Sequence, residues 1–392
     1  MNSEWKECFW GDIATLEYGK SLKNYKDKEG QFPVYGTNGL IGSNDSSLCD
    51  HPGVIVGRKG AYRGIHYSSK PFYVIDTAFY LKPKEKNLDL LFAYYELLTH
   101  DINSMDSGSA IPSTSREDFY NLPIKLPPIE EQKAIAYFLN NFDKKIELNQ
   151  KMNQTLEEIG QAIFKHWFVH FEFPNEEGKP YKSSGGEMVD SELGEIPNGW
   201  EVEEIGKSIE TTGGGTPSTK KEEYWENGDI QWFAPRDITS NNQMFISESE
   251  KSINELGLNK SSAKLFPPYS LMMTSRATVG ELSINTKEAC TNQGFITCIP
   301  NEKLSTFYLY YWIKKNKEYI ISLASGSTFK EINKSTFRSL KIVIPENNII
   351  KSFNSLLESI FSQIQTLQLQ NENLSQIRDS LLPKLMSGKI RV

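Results

Sequence analysis

The sequence predicts an α+β protein: two similar mixed α/β domains separated by a pair of long coiled-coil helices. Three observations carry this. The stretch SGSAIPSTSREDFYNLPIKLP at 107–127 recurs in outline 218 positions later as SGSTFKEINKSTFRSLKIVIP at 325–345. Each copy runs into a long segment with hydrophobic residues at seven-residue steps. Between the two lies a stretch rich in Gly, Pro, Ser and charge that has no periodicity.

The repeat pairs without a gap. Ser107, Gly108 and Ser109 fall on Ser325, Gly326 and Ser327, while Phe119, Leu122, Ile124 and Pro127 fall on Phe337, Leu340, Ile342 and Pro345. Two amphipathic helices can match by chance, but chance would not also preserve a turn and a strand-like segment in front of them. Upstream, Phe79 and Tyr94-Tyr95 match Phe295 and Tyr310-Tyr311 at an offset of 216, and Trp5, Gly11 and Gly19 match Trp200, Gly206 and Gly214 at 195. Insertions have gathered in the middle of each copy, where loops that carry function tolerate them. A period near 200 is far too long for a solenoid and describes two domains on one plan.

In chain order, residues 1–127 form the first domain, with short β-branched or aromatic runs between Gly, Asn, Asp and Pro turns and one helix around 88–98. Residues 128–172 form the central long helix. Its seam is Ile135, Phe142, Asn149, Leu156 and Ile163, supported by Phe138, Leu139, Ile146, Met152 and Ile159. Residues 173–199 read as a linker, and 200–345 repeat the first domain. The second long helix occupies 346–392, with Phe353, Ile360, Leu367, Leu374 and Leu381 in its seam and Pro383 and Gly388 as stop signals. Two seams in one chain are expected to pair. A helix of about 40 residues spans about 60 Å, equivalent to roughly 15–18 base pairs of duplex, so the pair has the dimensions of a spacer. Asn149, which matches Leu367 in the repeat, is a polar seam residue of the kind that sets register.

The chain has 392 residues, 38% hydrophobic and 24% charged, the composition of a soluble globular protein, and no apolar run reaches the 18 residues of a membrane helix. MNSEWKECFWGD lacks the basic-then-apolar pattern of a secretory signal, and Cys8, Cys49, Cys290 and Cys298 show no CxxC or disulfide spacing. A cytoplasmic location is expected. The net charge of −7 weighs against nucleic-acid binding, but local charge points the other way. Residues 54–75 hold Arg58, Lys59, Arg63 and Lys70 with no acid, and residues 257–279 hold Lys260, Lys264 and Arg276 with none.

Catalytic and metal patterns are absent from the sequence. TGGGTP at 212–217 lacks the GK[ST] of a phosphate loop and reads as a turn. His166 and His170 have helical metal spacing but no glutamate between them and no third ligand. LFPPYSL at 265–271 resembles the Asn/Asp-Pro-Pro-aromatic motif of amino-methyltransferases, yet Phe266 stands where the hydrogen-bond acceptor is required. The five histidines, His51, His66, His100, His166 and His170, all lie in the first half, so no catalytic set is duplicated. The duplicated features are basic, aromatic and hydroxyl residues, the groups that contact phosphates and bases.

Several segments carry a family resemblance: the openings EWKECFWGDIATLEYGKS and ELGEIPNGWEVEEIGKSIETTGGGTPS, the joints LPIKLPPIEEQKAIAYFLNNFDKKIE and LKIVIPENNIIKSFNSLLESI, and the closing LLPKLMSGKI. The chain resembles the specificity subunits of type I restriction-modification systems over essentially its whole length. The resemblance implies two target recognition domains, each reading one half of a split asymmetric DNA site, separated by an antiparallel coiled-coil pair within an internal pseudo-two-fold repeat. It implies a non-catalytic, DNA-binding subunit that docks two methyltransferase (modification) subunits, with restriction subunits added to that core. S-adenosylmethionine, ATP and Mg²⁺ would be used by those partners, with no cofactor or metal in this chain and no membrane partner. The second joint, PENNIIKSF, departs from the PPIEEQKAI of the first, so the two docking sites need not be equal.

The candidate DNA contacts are Lys20, Lys23, Thr37, Asn38, Arg58, Lys59, Tyr62, Arg63, Ser109 and Arg116 in the first domain. In the second they are Thr216, Ser218, Arg236, Arg276, Asn292, Gln293, Ser327 and Lys330. Arg58-Lys59 and Arg276 lead, because each lies between a strand and a small-residue turn at corresponding places. Two rival classes remain open on residues alone: a protein-binding adaptor, which would show no salt-dependent affinity for duplex DNA, and an enzyme with an unrecognised site, which the isolated chain with cofactor and DNA would expose.

Overall fold

A computed structural model describes residues 5–26, 29–105, 111–240, 243–326 and 328–392. The chain divides into two compact units, residues 1–147 with 371–392, and residues 148–370. Each unit takes one mixed domain and one stretch of both long helices.

In the first unit, Ala14–Tyr18, Ala78–Pro83, Gly53–Gly57 and Ile65–Ser68 form an antiparallel sheet in that order. A smaller sheet holds Gly39–Asn44, Phe32–Gly36 and Tyr73–Val74. The helix Leu90–Leu97 closes the core, its first turn capped by Asp89 Oδ1, which accepts from Leu91 and Phe92 N–H at 3.0 and 2.8 Å. In the second unit the larger sheet runs Glu210–Gly213, Phe295–Ile299, Leu271–Thr274, Leu282–Asn285 and Phe245–Ile246. Lys251–Ile253, Ile230–Phe233 and Ala289–Thr291 form the smaller one.

The repeat is visible at the level of single hydrogen bonds. Lys6–Phe9 pairs with Pro123–Leu126 as Glu201–Glu204 pairs with Lys341–Ile344, and Trp10 N donates to Leu122 O as Ile205 N donates to Leu340 O, both at 2.9 Å. Gly19 and Gly214 are both pressed on backbone: a Cβ would lie 2.1 Å from Ile75 O in one case and from Asn292 O in the other. Only glycine fits there.

The long helices are Ile129–Phe168 and Asn347–Met386. Within the first unit Asp143 meets Arg378 and Glu131 meets Arg391; within the second Asn149 Nδ2 reaches Gln370 Oε1 at 3.4 Å. Rising numbers on one helix meet falling numbers on the other, so the pairing is antiparallel. Of the seam residues, Ile135, Asn149, Phe353 and Leu367 are buried, while Phe142, Leu156, Ile163, Ile360, Leu374 and Leu381 are half-buried. Other buried positions on the helices include Leu139, Phe164, Leu357, Phe361 and Ile364. Each helix also packs against its mixed domain, so its buried face is broader than a strict seven-residue seam and steps closer to the 3.6 of a straight helix.

Two expectations change. The second helix does not stop at Pro383 but runs through it to Met386, because a proline in the final turn forfeits little; Gly388, with φ +70°, ends the segment. The stretch expected as a loose linker is folded: Met188–Ser191 and Gly194–Pro197 form a hairpin, Ile196 is buried, and Phe173 stacks between Tyr181 (4.6 Å) and Trp200 (5.0 Å). Three well-spaced aromatics order a segment whose composition is that of a tether.

Where the first domain enters the central helix, Gln132 has no exposed surface. Its Oε1 accepts from Asp89 N–H at 2.8 Å, and its Nε2 donates to Asn87 O and Pro127 O at 3.0 and 2.8 Å. The equivalent position in the repeat is Ile350, buried among apolar side chains. Gln132→Ala strands three backbone groups, Pro127 O buried and the other two partly buried, and is expected to lower stability by about 2 kcal/mol, read as a reduced urea midpoint at unchanged m value.

Candidate nucleic-acid interface

In the first domain the turn from Gly57 to Gly64 is closed by Gly57 N–H donating to Gly64 O at 2.8 Å. Three segments are bound to it. Arg58 and Lys59 N–H donate to Thr77 O, Gly60 N–H donates to Pro112 O, Thr114 N–H donates to Arg58 O, and Gly64 N–H donates to Thr37 O. The hairpin tip with Thr37 and Asn38, the Lys20 strand end (Lys20 N–H to Val74 O) and the helix Arg116–Tyr120 are thereby gathered around Arg58 and Lys59.

The Arg58 guanidinium donates to Asp76 O at 2.9 Å and lies 4.7 Å from the centroid of the Tyr18 ring. Arg116 lies 5.2 Å from the same ring, its Nε and Nη2 donating to Tyr120 Oη at 3.2 and 2.8 Å. Two guanidiniums thus flank one tyrosine that is 48% exposed, and stacking holds them without neutralising their charge. Lys20, Lys23, Asn38, Lys59 and Tyr62 are exposed, though no hydrogen bond ties Lys23 or Tyr62 to this cluster.

Arg63 must be removed from the contact surface. It is 3% exposed, its Nη1 donating to Gly60 O and its Nη2 to Ile102 O, Asn103 O and Met105 O. It fastens the turn from beneath. Ser109 lies outside the described residues, as does Ser327.

The second domain rebuilds the turn. Thr274 N–H donates to Glu281 O, Ser275 N–H to Gly294 O, Ala277 N–H to Lys330 O and Ile332 N–H to Ser275 O. Position by position, Arg276 corresponds to Lys59 and Glu331 to Ser113, each pair meeting at an isolated bridge. Gly60 and Ala277 hold the same place with positive φ, +124° and +64°. Arg276 donates through Nε and Nη2 to the two oxygens of Glu331 at 3.0 and 2.9 Å, an ion pair that fixes the guanidinium. Thr216 Oγ1 donates to Gln293 Oε1 at 2.6 Å, Pro235 brings Arg236 alongside Gly294, and Lys330 is exposed on the return segment. Asn292 serves the turn itself, its Oδ1 accepting from Gly294 N–H at 2.8 Å. Ser218 stands apart, its carbonyl accepting from Trp225 Nε1 at 3.3 Å.

Reading the sequence missed Tyr18, Tyr120 and Phe329, the last 66% exposed beside Lys330. It also missed Lys334, whose ammonium is held below its ordinary value by burial and by neighbouring Arg338 and Lys264. No local signal marks these residues, since their meaning depends on partners distant in sequence. Among the described residues no group of three or more His, Cys, Asp or Glu is placed to hold a metal, and no helix is long and apolar enough to cross a membrane.

The sequence profile described as "Type I restriction modification DNA specificity domain" matches residues 2–158 and 197–377. The chain belongs to that family. As a type I specificity subunit it has a role in recognising DNA sequence. Among its relatives, the type I restriction enzyme HindI specificity subunit of Haemophilus influenzae is 29% identical over 378 residues, covering 81% of each chain. The MjaVIII specificity subunit of Methanocaldococcus jannaschii is 25% identical over 421 residues, covering 99% of this chain and 93% of its own. The crystal structure of a type I restriction-modification S subunit from M. genitalium shares the fold, with a TM-score of 0.60 at 18% identity and coverage of 98% and 96%.

Within this specificity subunit, Arg276→Ala is expected to weaken DNA binding by about 1–3 kcal/mol. Unchanged affinity at both low and moderate salt would remove the residue from the interface.

Proposed function

We propose that this chain reads a bipartite, asymmetric DNA site, one half with each mixed domain, as the non-catalytic subunit of a type I restriction-modification complex. The helix pair sets the gap between the half-sites and docks two methyltransferase subunits, and restriction subunits join through them. S-adenosylmethionine, ATP and Mg²⁺ act in those partners in the cytoplasm. The observation that carries this reading is the duplicated turn: one backbone framework, built twice, presents Lys59 and Ser113 in one domain and Arg276 and Glu331 in the other. A shared frame with different side chains suits two half-sites of different sequence.

Docking on the helices is supported by a shallow groove of about 580 Å³ in the second unit, lined by Leu148, Met152, Leu156 and Ile360 together with the polar Lys151, Thr155, Ser359 and Gln363. Leu148 is 52% exposed, an apolar side chain suited to a protein partner. The test is to co-express the chain with the methyltransferase subunit encoded beside it and map adenine methylation across the host genome. A split asymmetric motif with one gap, modified only when this chain is present, is expected. A stable complex that leaves no such motif would overturn the proposal.

A further inference from the structure

Each mixed domain shares an apolar core with the long helices of its own unit, and two of its attachments to them lie well apart. The first is the joint itself, at Gln132 in one unit and at the equivalent Ile350 in the other. The second is a tyrosine at equivalent places in the repeat, Tyr95 or Tyr311, each from a helix of the mixed domain. Both tyrosines are 1% exposed, so their environments are fixed by what the long helices offer.

The offers differ. Tyr95 Oη donates to Asp143 on the central helix, and Asp143 Oδ1 receives Arg378 Nη1 from the C-terminal helix at 2.5 Å. Burial, with Asp143 beside it, pushes the Tyr95 hydroxyl far above its ordinary range, so it remains a donor. In the repeat, Asp143 becomes Phe361 and Arg378 becomes Gly160. Tyr311 accordingly packs edge-on to Phe361 at 5.9 Å, and its Oη occupies the space over Gly160, where a Cβ would lie 2.0 Å away. Tyr95 sits in an ionic, directional seat and Tyr311 in a close-packed apolar slot, the polar link of the second unit passing to its neighbour: Tyr310 Oη donates to Glu157 Oε1 at 2.5 Å, with Lys314 on the same oxygen.

We propose that Tyr95, Asp143 and Arg378 are positioning residues that fix the angle of the first recognition domain on the helix pair, and so the gap at which its half-site is read. This rests on the bipartite reading above. A body held at one point can pivot. Gln132 and Asp143 are 11 residues apart on one helix, about 16 Å, and two attachments that far apart define a direction. Removing the outer one leaves the domain folded and held at Gln132 and by the apolar core around Ile135, Leu139 and Leu385, but with its angle less sharply set. Tyr95 is held by hydrogen bonds that a single atom can remove, whereas the Tyr311 hydroxyl makes one long hydrogen bond, to Glu157 O at 3.4 Å, and the polar attachment of the second domain is carried by Tyr310 and Lys314.

The test uses the full complex with methyltransferase subunits, S-adenosylmethionine and duplexes carrying its own motif with the gap varied by one or two base pairs either way. Tyr95→Phe and Asp143→Asn are expected to lower the preference for the native gap over its neighbours by about tenfold, with the half-site sequences unchanged. Tyr311→Phe keeps the native preference. A lost thermal midpoint with an unchanged gap preference in both first-unit variants would show a merely structural role and overturn the inference. A wild-type complex with no fixed gap would overturn the bipartite reading and this inference together, so the two failures are told apart by the wild-type lane.

Discussion

Phe353→Ala is expected to destabilise the second unit by about 3–5 kcal/mol, the largest loss among the single changes considered for this chain. The side chain has no exposed surface and is enclosed by Phe168 at 4.8 Å, Trp167 at 5.9 Å and Phe164 at 6.3 Å, the first nearly perpendicular to it. Rigid rings on three sides cannot collapse into the space, so the cavity term adds in full to the lost transfer free energy. The place matters as much as the size, because here the end of the central helix, the start of the C-terminal helix and the mixed domain meet in one core. Urea unfolding should show the loss, and hydrogen exchange should place it at Phe164, Trp167 and Phe168 while Leu90–Leu97, in the other unit, keeps its protection. A loss below about 1 kcal/mol would mean that the rings repack. Leu374→Asp, at a half-buried position, should cost less than this and act chiefly on the helix pair.

The repeat was legible because duplication preserves backbone needs: Gly19 and Gly214 are glycines in both copies since each lies against a carbonyl. The long helices were legible from their period, but not the width of their buried face, which depends on the mixed domains packed beside them. The basic runs told where the duplicated turns lie and not which cation faces outward. Arg58 and Arg63 stand five apart in one acid-free stretch, yet one stacks on an exposed tyrosine and the other turns inward to carbonyls of residues 102–105. That choice is made by a segment 40 residues away and has no local signature. The ionic seat at Asp143 was hidden for the same reason, since its partners, Tyr95 and Arg378, lie 48 residues before it and 235 after it.

Tyr18→Leu is expected to weaken DNA binding as much as removing either arginine beside it, although a leucine there keeps the apolar contact with the strand. The ring touches both guanidiniums, Arg58 at 4.7 Å and Arg116 at 5.2 Å, and it lies edge-on to Phe79 at 5.0 Å, which fixes its own angle. Without it each arginine keeps a single polar anchor, Asp76 O for Arg58 and Tyr120 Oη for Arg116, and regains rotamer freedom that binding must remove again. The expected loss is about 1–3 kcal/mol for Arg58→Ala or Arg116→Ala. The double change should cost less than the sum, because the two share a ring. Salt titration separates the roles: each arginine-to-alanine change should reduce the slope of log K against log salt by about 1 if that arginine meets a phosphate, whereas Tyr18→Leu, which removes no charge, should lower affinity at nearly constant slope. Tyr18→Phe keeps the ring and should keep the affinity. If Tyr18→Leu binds as tightly as the native protein at every salt concentration, the tyrosine does not organise the arginines, and the first domain's reading surface must be sought around Lys59 and Thr37 instead.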